Sequence, residues 1–153
     1  MRYTLLILVI ALFTSCDSDT KETTIKDYTV ENEAEIKQYI EDNQLEAQKT
    51  DSGLYYIIEE QGTGEQPTAY SNVTVAYKGY YTNKEVFDES DDDGISFPLN
   101  GVISGWTEGI PYFNEGGKGK LLIPSHLAYG SSYYKGIPGG SVLIFDIHLI
   151  TVN

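Results

Sequence analysis

The chain has 153 residues, 41% hydrophobic and 22% charged, which supplies the core of one packed domain and argues against a disordered chain. Ten Lys and Arg stand against 23 Asp and Glu, a formal net charge of −13, so there is no basic footprint for a nucleic acid or an anionic lipid surface. A single cysteine, Cys16, excludes an internal disulfide and a cysteine-based zinc site.

In chain order, Arg2 precedes an unbroken apolar run over 5–13, followed by Thr14-Ser15-Cys16. A positive start, a short apolar stretch and small residues read as a secretory signal. The run is far shorter than the roughly 20 residues a membrane-spanning helix needs. Thr14-Ser15-Cys16 resembles a bacterial lipobox, which makes 1–15 a lipoprotein signal peptide and Cys16 the lipidation site. Acyl chains contribute about 0.8 kcal/mol per buried methylene, and stable anchoring takes at least two lipid signals, which a multiply acylated cysteine provides. The expected location is the bacterial cell envelope, lipid-anchored at the outer membrane.

Residues 17–50 carry ten acidic and four basic side chains with no Gly or Pro. The first part shows no hydrophobic period, so 16–32 is expected to be a flexible acidic tether. Asn32 with Glu35 three residues on has the pattern of a capping box, and Ile36, Tyr39 and Ile40 follow at helical spacing. A helical segment is therefore expected over 33–50, its helix proper over about 33–48, ended by the turn at Asp51-Ser52-Gly53.

From Leu54 the period becomes two. Leu54–Ile58, Val73–Tyr81, Lys118–Ile123 and Val142–Thr151 read as strands, the last with Leu143, Phe145, Ile147 and Leu149 on one face. Val102–Ile110, which holds Trp106, is the one place for a core helix. The pattern predicts an α+β domain with an antiparallel sheet and one short helix, preceded by a helical stalk.

Few residues suit proton transfer or nucleophilic attack. His126 and His148 are the only histidines, in a turn and on the last strand, and both are expected at the surface. Gly116-Gly117-Lys118-Gly119-Lys120 lacks the Ser/Thr of a phosphate loop and leads into a strand. Asp88, Asp91, Asp92 and Asp93 do not have calcium-loop spacing, because Asp93 and Leu99 stand where glycine and glutamate are needed. What stands out instead is an aromatic set from separate segments: Tyr77, Phe87, Phe97, Trp106, Tyr129 and Phe145. Either these rings fill a core, or the sheet leaves an apolar pocket with Trp106 as its floor.

At this point the residues resemble the FK506-binding-protein family of peptidyl-prolyl isomerases. The blocks that carry the resemblance are Val75–Gly79, Val86–Ser90, Phe97–Leu99 with Val102–Trp106, Ile123-Pro124 with Leu127–Gly130, and Ile137-Pro138 with Leu143–Asp146. They stand in the family's order at nearly its spacing and cover about 51–153, which is expected to be the isomerase domain. The signal, acidic stalk and helix are similar to lipoprotein members of bacterial envelopes, including gliding-motility-associated ones.

The resemblance implies a sheet of about five strands curled around the short helix. It places Trp106 under the prolyl ring and Phe87, Phe97, Val102, Ile103 and Phe145 around it, with Tyr77 also on the wall. Ile95 and Ile137 complete the substrate-binding set. The Ile103 N–H and Tyr129 hydroxyl would bond substrate carbonyls, and Asp88, held by the Tyr77 hydroxyl, would sit beside the twisting amide. Tyr77, Asp88, Trp106 and Tyr129 are thus the implied catalytic residues. The implied partners are proline-containing polypeptides, FK506-like macrolides and a membrane met through the lipid anchor, with no nucleic acid, cofactor or metal.

Three departures stand out. Ile95 replaces a frequent aromatic wall residue, Tyr133 or Tyr134 occupies the mouth in a slightly short Gly130–Ile137 loop, and Gly119 replaces a larger residue for no reason legible in the sequence. A binding or chaperone module with little catalysis, and an accessory of an envelope machine that works through its stalk helix, are the two other readings.

Overall fold

A computed structural model describes residues 26–153; the signal segment 1–15 and Cys16 lie outside the described residues. Helix α1 spans Thr29–Asp42. Strands β1 (Gln48–Lys49), β2 (Tyr55–Glu60), β3 (Asn72–Tyr80), β4 (Val86–Glu89) and β5 (Ile95–Pro98) follow, then helix α2 (Ser104–Gly109), β6 (Lys118–Ile123) and β7 (Leu143–Val152).

The stalk reading needs correction at both ends. The helix starts four residues before the expected 33, so 29–32 are not tether. Asp27, one residue before the N-cap Tyr28, braces the start, its Oδ1 accepting the Thr29 N–H at 2.9 Å and the Thr29 hydroxyl at 2.6 Å. Asn32 is not a cap but lies inside the helix, 1% exposed. The helix stops at Asp42 instead of about 48, because Gln44 turns left-handed at φ 53°. The Leu45 N–H then reaches Ile40 O (2.9 Å) and the Gln44 N–H reaches Glu41 O (3.1 Å), a Schellman end built without glycine.

The sheet has seven strands rather than about five, all paired antiparallel, in the order β1-β2-β6-β7-β3-β4 with β5 also on β3. Added to the four strands read from the sequence are the two-residue β1 and the short β4 and β5. Those last two share one edge of β3: β5 pairs with 72–75 and β4 with 78–80. The gap between them falls at Ala76 and Tyr77, where the Tyr77 carbonyl accepts the Ser90 N–H at 3.0 Å.

Each face of the sheet carries a core. On the inner face, Val73, Val75, Leu121, Ile123, Leu143, Phe145, Ile147 and Leu149 pack on Leu54, Leu99, Trp106, Ile110 and Phe113. On the outer face, Tyr55, Tyr80, Leu122 and Ile144 pack on Ile36 and Tyr39 of α1. The one-face alternation expected for the last strand holds for the inner face, while Ile144 shows that the other face is covered too. Strands buried on both sides read as continuous apolar runs, as in Leu121-Leu122-Ile123 and Leu143-Ile144-Phe145.

Gly119 now has a physical reason. A Cβ there would collide with the Ile57 carbonyl oxygen across the β2–β6 pair and come within 2.9 Å of the Phe113 ring. Gly105 lets α2 lie flat on the sheet, since a Cβ there would stand 2.5 Å from Ile123. Of the histidines, His126 is exposed, with Nε2 2.8 Å from Ser52 O, and His148 is half-buried.

Candidate functional site

The curl of the sheet around α2 leaves a cavity of about 620 Å³. Trp106 comes from the middle of α2 and is 5% exposed. Its ring meets Tyr77 edge-on at 5.0 Å, Phe145 edge-on at 5.1 Å and Phe97 tilted at 5.2 Å. Phe87 continues the wall, perpendicular to Phe145 at 5.6 Å. Gly79 makes this corner possible, because a Cβ there would stand 2.7 Å from Phe87 and 2.8 Å from Phe145. Such edge-to-face packing places the positive rim of one ring on the negative face of the next and fixes all of them.

The polar groups sit at the edges of this aromatic box. The Tyr77 hydroxyl donates to Asp88 Oδ2 at 2.7 Å, and the Tyr77 backbone is held by Ser90, whose Oγ accepts the Tyr77 N–H at 2.9 Å. Burial pushes the Tyr77 hydroxyl well above its ordinary pKa of 10, and the bond to Asp88 adds to this. The Tyr129 hydroxyl is raised as well, first by burial and then by the Asp88 charge. Both tyrosines therefore stay protonated donors at neutral pH. Ile103 precedes α2 in an extended conformation, and its N–H meets no backbone acceptor among the described residues. The Trp106 Nε1 is the single buried side-chain polar atom without a partner among the described residues.

Ten of the eleven residues expected to touch substrate line this one cavity: Tyr77, Phe87, Asp88, Ile95, Phe97, Val102, Ile103, Trp106, Tyr129 and Phe145. Ile137 does not. It is 8% exposed, packs in the core and borders only an adjoining cleft behind Phe87 and Tyr129. Ile95 stands at the rim, 48% exposed, consistent with a site open on that side. Of the two tyrosines left open by the sequence, Tyr134 is the one at the mouth. It stacks on Tyr129 with centroids 5.0 Å apart and planes 14° apart, while Tyr133 is 73% exposed and does not line the cavity. Sequence reasoning missed Lys135, which also borders the cavity with its ammonium 5.3 Å from the Tyr134 ring centre. Its only signal is its place next to Tyr134, and its backbone φ of 45° is invisible in a sequence.

A sheet curled around a short helix, with a tryptophan of that helix flooring an aromatic box, defines a receptor for a compact apolar ring flanked by carbonyl groups. The family model for FKBP-type peptidyl-prolyl cis-trans isomerases matches residues 63–150, and the chain belongs to that family. It is 42% identical over 138 residues to the FKBP-type peptidyl-prolyl cis-trans isomerase FkpA of Aeromonas hydrophila, across 88% of this chain and 51% of that protein. FkpA of Escherichia coli K12 is 44% identical over 127 residues, across 80% of this chain and 47% of that protein. The chain thus spans about half the length of the curated relatives it matches. The crystal structure of Escherichia coli FkpA superposes with a TM-score of 0.73 at 42% identity, covering 82% of this chain and 61% of that one. A peptidyl-prolyl cis-trans isomerase from Pseudomonas syringae pv. tomato superposes with a TM-score of 0.70 at 30% identity, covering 84% and 97% respectively.

Proposed function

We propose that this chain is a peptidyl-prolyl cis-trans isomerase that assists the folding of envelope or exported proteins, held to a membrane through acylated Cys16. The observation that carries the catalytic part is the aromatic box on Trp106, with free donors at one edge and Tyr77–Asp88 at another.

Rotation about an X-Pro bond breaks amide resonance against a barrier of about 18–20 kcal/mol. The planar amide is the more polar form, since resonance puts charge on oxygen and nitrogen. A dry aromatic box is therefore less hostile to the twisted form than water is. The prolyl ring seats on Trp106 between Tyr77, Phe97 and Phe145. The Ile103 N–H and Tyr129 hydroxyl hold the carbonyls on one side of the bond while the other side turns. Asp88, fixed by Tyr77, faces the amide as its charge redistributes. Only contacts that strengthen in the twisted state raise the rate, and each 1.36 kcal/mol of that difference is about tenfold.

The test is cis-to-trans conversion of an X-Pro peptide by the soluble fragment from Asp17, with and without FK506. Acceleration that FK506 abolishes and Trp106→Ala lowers at least a hundredfold is the expected result. A well-folded fragment that leaves the uncatalysed rate unchanged overturns the reading, and holdase activity that survives Trp106→Ala would favour a chaperone module. For the anchor, palmitate labelling that disappears in Cys16→Ser is expected. The lipobox resemblance and the acidic segment behind it support that part and the outer-membrane, gliding-motility-type placement.

A further inference from the structure

Tyr129, Tyr134 and Lys135 all belong to the long connection 124–142 between β6 and β7. Its hydrogen bonds are mostly internal. The Ser125 carbonyl accepts the N–H groups of Ala128 at 3.0 Å and Gly130 at 2.8 Å, the Gly140 N–H donates to Gly130 O at 2.9 Å, and Tyr134 and Ile137 exchange a pair at 2.9 and 2.8 Å. A side chain from outside the loop adds a direct bond to both its entry and its exit. Asn32 Oδ1 accepts the Ser125 N–H at 2.8 Å, and Asn32 Nδ2 donates to Gly140 O at 2.8 Å. One turn earlier, the Tyr28 ring lies so close to Gly140 that a Cβ there would collide with it.

We infer that Asn32 is a positioning residue for the mouth of the site, and that α1 is part of the site's framework rather than a spacer. Asn32 precedes the family-matched segment 63–150 and does not itself line the cavity. It acts through the loop. A carboxamide sets an acceptor oxygen and a donor NH2 side by side on a single rigid plane, and here each group makes a bond in a place shut off from water. Without it, a buried N–H and a buried carbonyl lose their partners, and the cheapest relief is for the loop to shift at Ser125 and Gly140 until both reach water. Tyr129 lies four residues beyond Ser125 and directly before Gly130, inside the turn that the Gly130 N–H closes on the Ser125 carbonyl, so movement at Ser125 releases its hydroxyl from the fixed place the reaction needs.

The kinetic arm of the test rests on the isomerase reading; the exchange arm does not. In Asn32→Ala, amide hydrogen exchange at Gly130 and Gly140 should quicken at least tenfold more than at Leu121 and Phe145. The kcat/KM on an X-Pro peptide should fall about tenfold at a temperature where the variant is folded. That fall should shrink below twofold in a Tyr129→Phe background. Asn32→Asp keeps the acceptor for Ser125 but loses the donor to Gly140, and it carries the test if the alanine variant does not fold; exchange should then quicken at the Gly140 stem. Equal quickening in loop and strands overturns the inference, as do fold-losses that simply multiply in the double variant. If the unmutated chain is inactive, the isomerase reading fails and the exchange result alone decides this one.

Discussion

At the scale of single residues, Tyr77 and Trp106 separate the two things the site must do. Tyr77→Phe removes one hydroxyl bonded to Asp88 and leaves the ring against Trp106. A hydrogen bond to a charged group contributes about 1.5–3 kcal/mol, less where solvent reaches it, so the expected loss in kcat/KM is about tenfold, against at least a hundredfold for Trp106→Ala. The pH profile gives an independent check. Burial raises both tyrosine hydroxyls above 10, so kcat/KM should hold up at pH 10 better than a site relying on an ordinary phenol, which is half ionised there. Turn-flanked aromatics made the six rings of this site legible in the sequence, and the family resemblance supplied Asp88, Ile95, Val102 and Ile103. Ile137 falls in the adjoining cleft instead, because a residue next to a mouth loop looks the same in sequence whether it borders the cavity or the cleft beside it. Lys135 escaped because its approach to the rim depends on a left-handed backbone that no residue type announces.

At the scale of elements, α1 is a docked helix whose stability comes from the sheet beneath it. Ile36 is wholly buried against that face, so Ile36→Ala should cost about 2–5 kcal/mol, measured by urea unfolding. The helix is also pinned by charge. Glu33 meets Lys37 at 2.8 Å and Lys49 and the Tyr55 hydroxyl at 2.9 Å, and these contacts hold its carboxyl at about 2, down from 4.5. A carboxyl depressed in the folded state contributes its stability above 4.5 and loses it as pH falls toward 2. Glu33→Gln should therefore lower Tm at pH 7 and leave it nearly unchanged at pH 2. The existence of this helix was legible from the spacing of Ile36, Tyr39 and Ile40, but its limits were not. Asn32 fits a cap by type and spacing, yet its partners lie 93 and 108 residues away. The stop depends on a glutamine that adopts the conformation usually left to glycine. The short β4 and β5 were hidden for a related reason: each pairs with only part of one edge of β3.

At the scale of the whole molecule, two cores share one sheet, so cavity and helix rest on opposite sides of the same strands. Anything that fills the cavity must steady both. A macrolide at a hundred times its Kd should stabilise the fold by about 2.7 kcal/mol, and the gain should appear in α1 as well as around Trp106 when exchange is followed along the chain. The tryptophan itself gives the molecule a built-in gauge. It is the only one in the chain, and it forms the floor of the cavity. Excited at the red edge, where the 13 tyrosines stay dark, the protein therefore emits from its ligand site alone. An indole walled off from water by three rings, its N–H without an acceptor among the described residues, should fluoresce toward the blue. A ligand seated on it should change the intensity and leave the colour, whereas unfolding should shift the colour to the red. Occupancy and folding can thus be told apart by light, without a label.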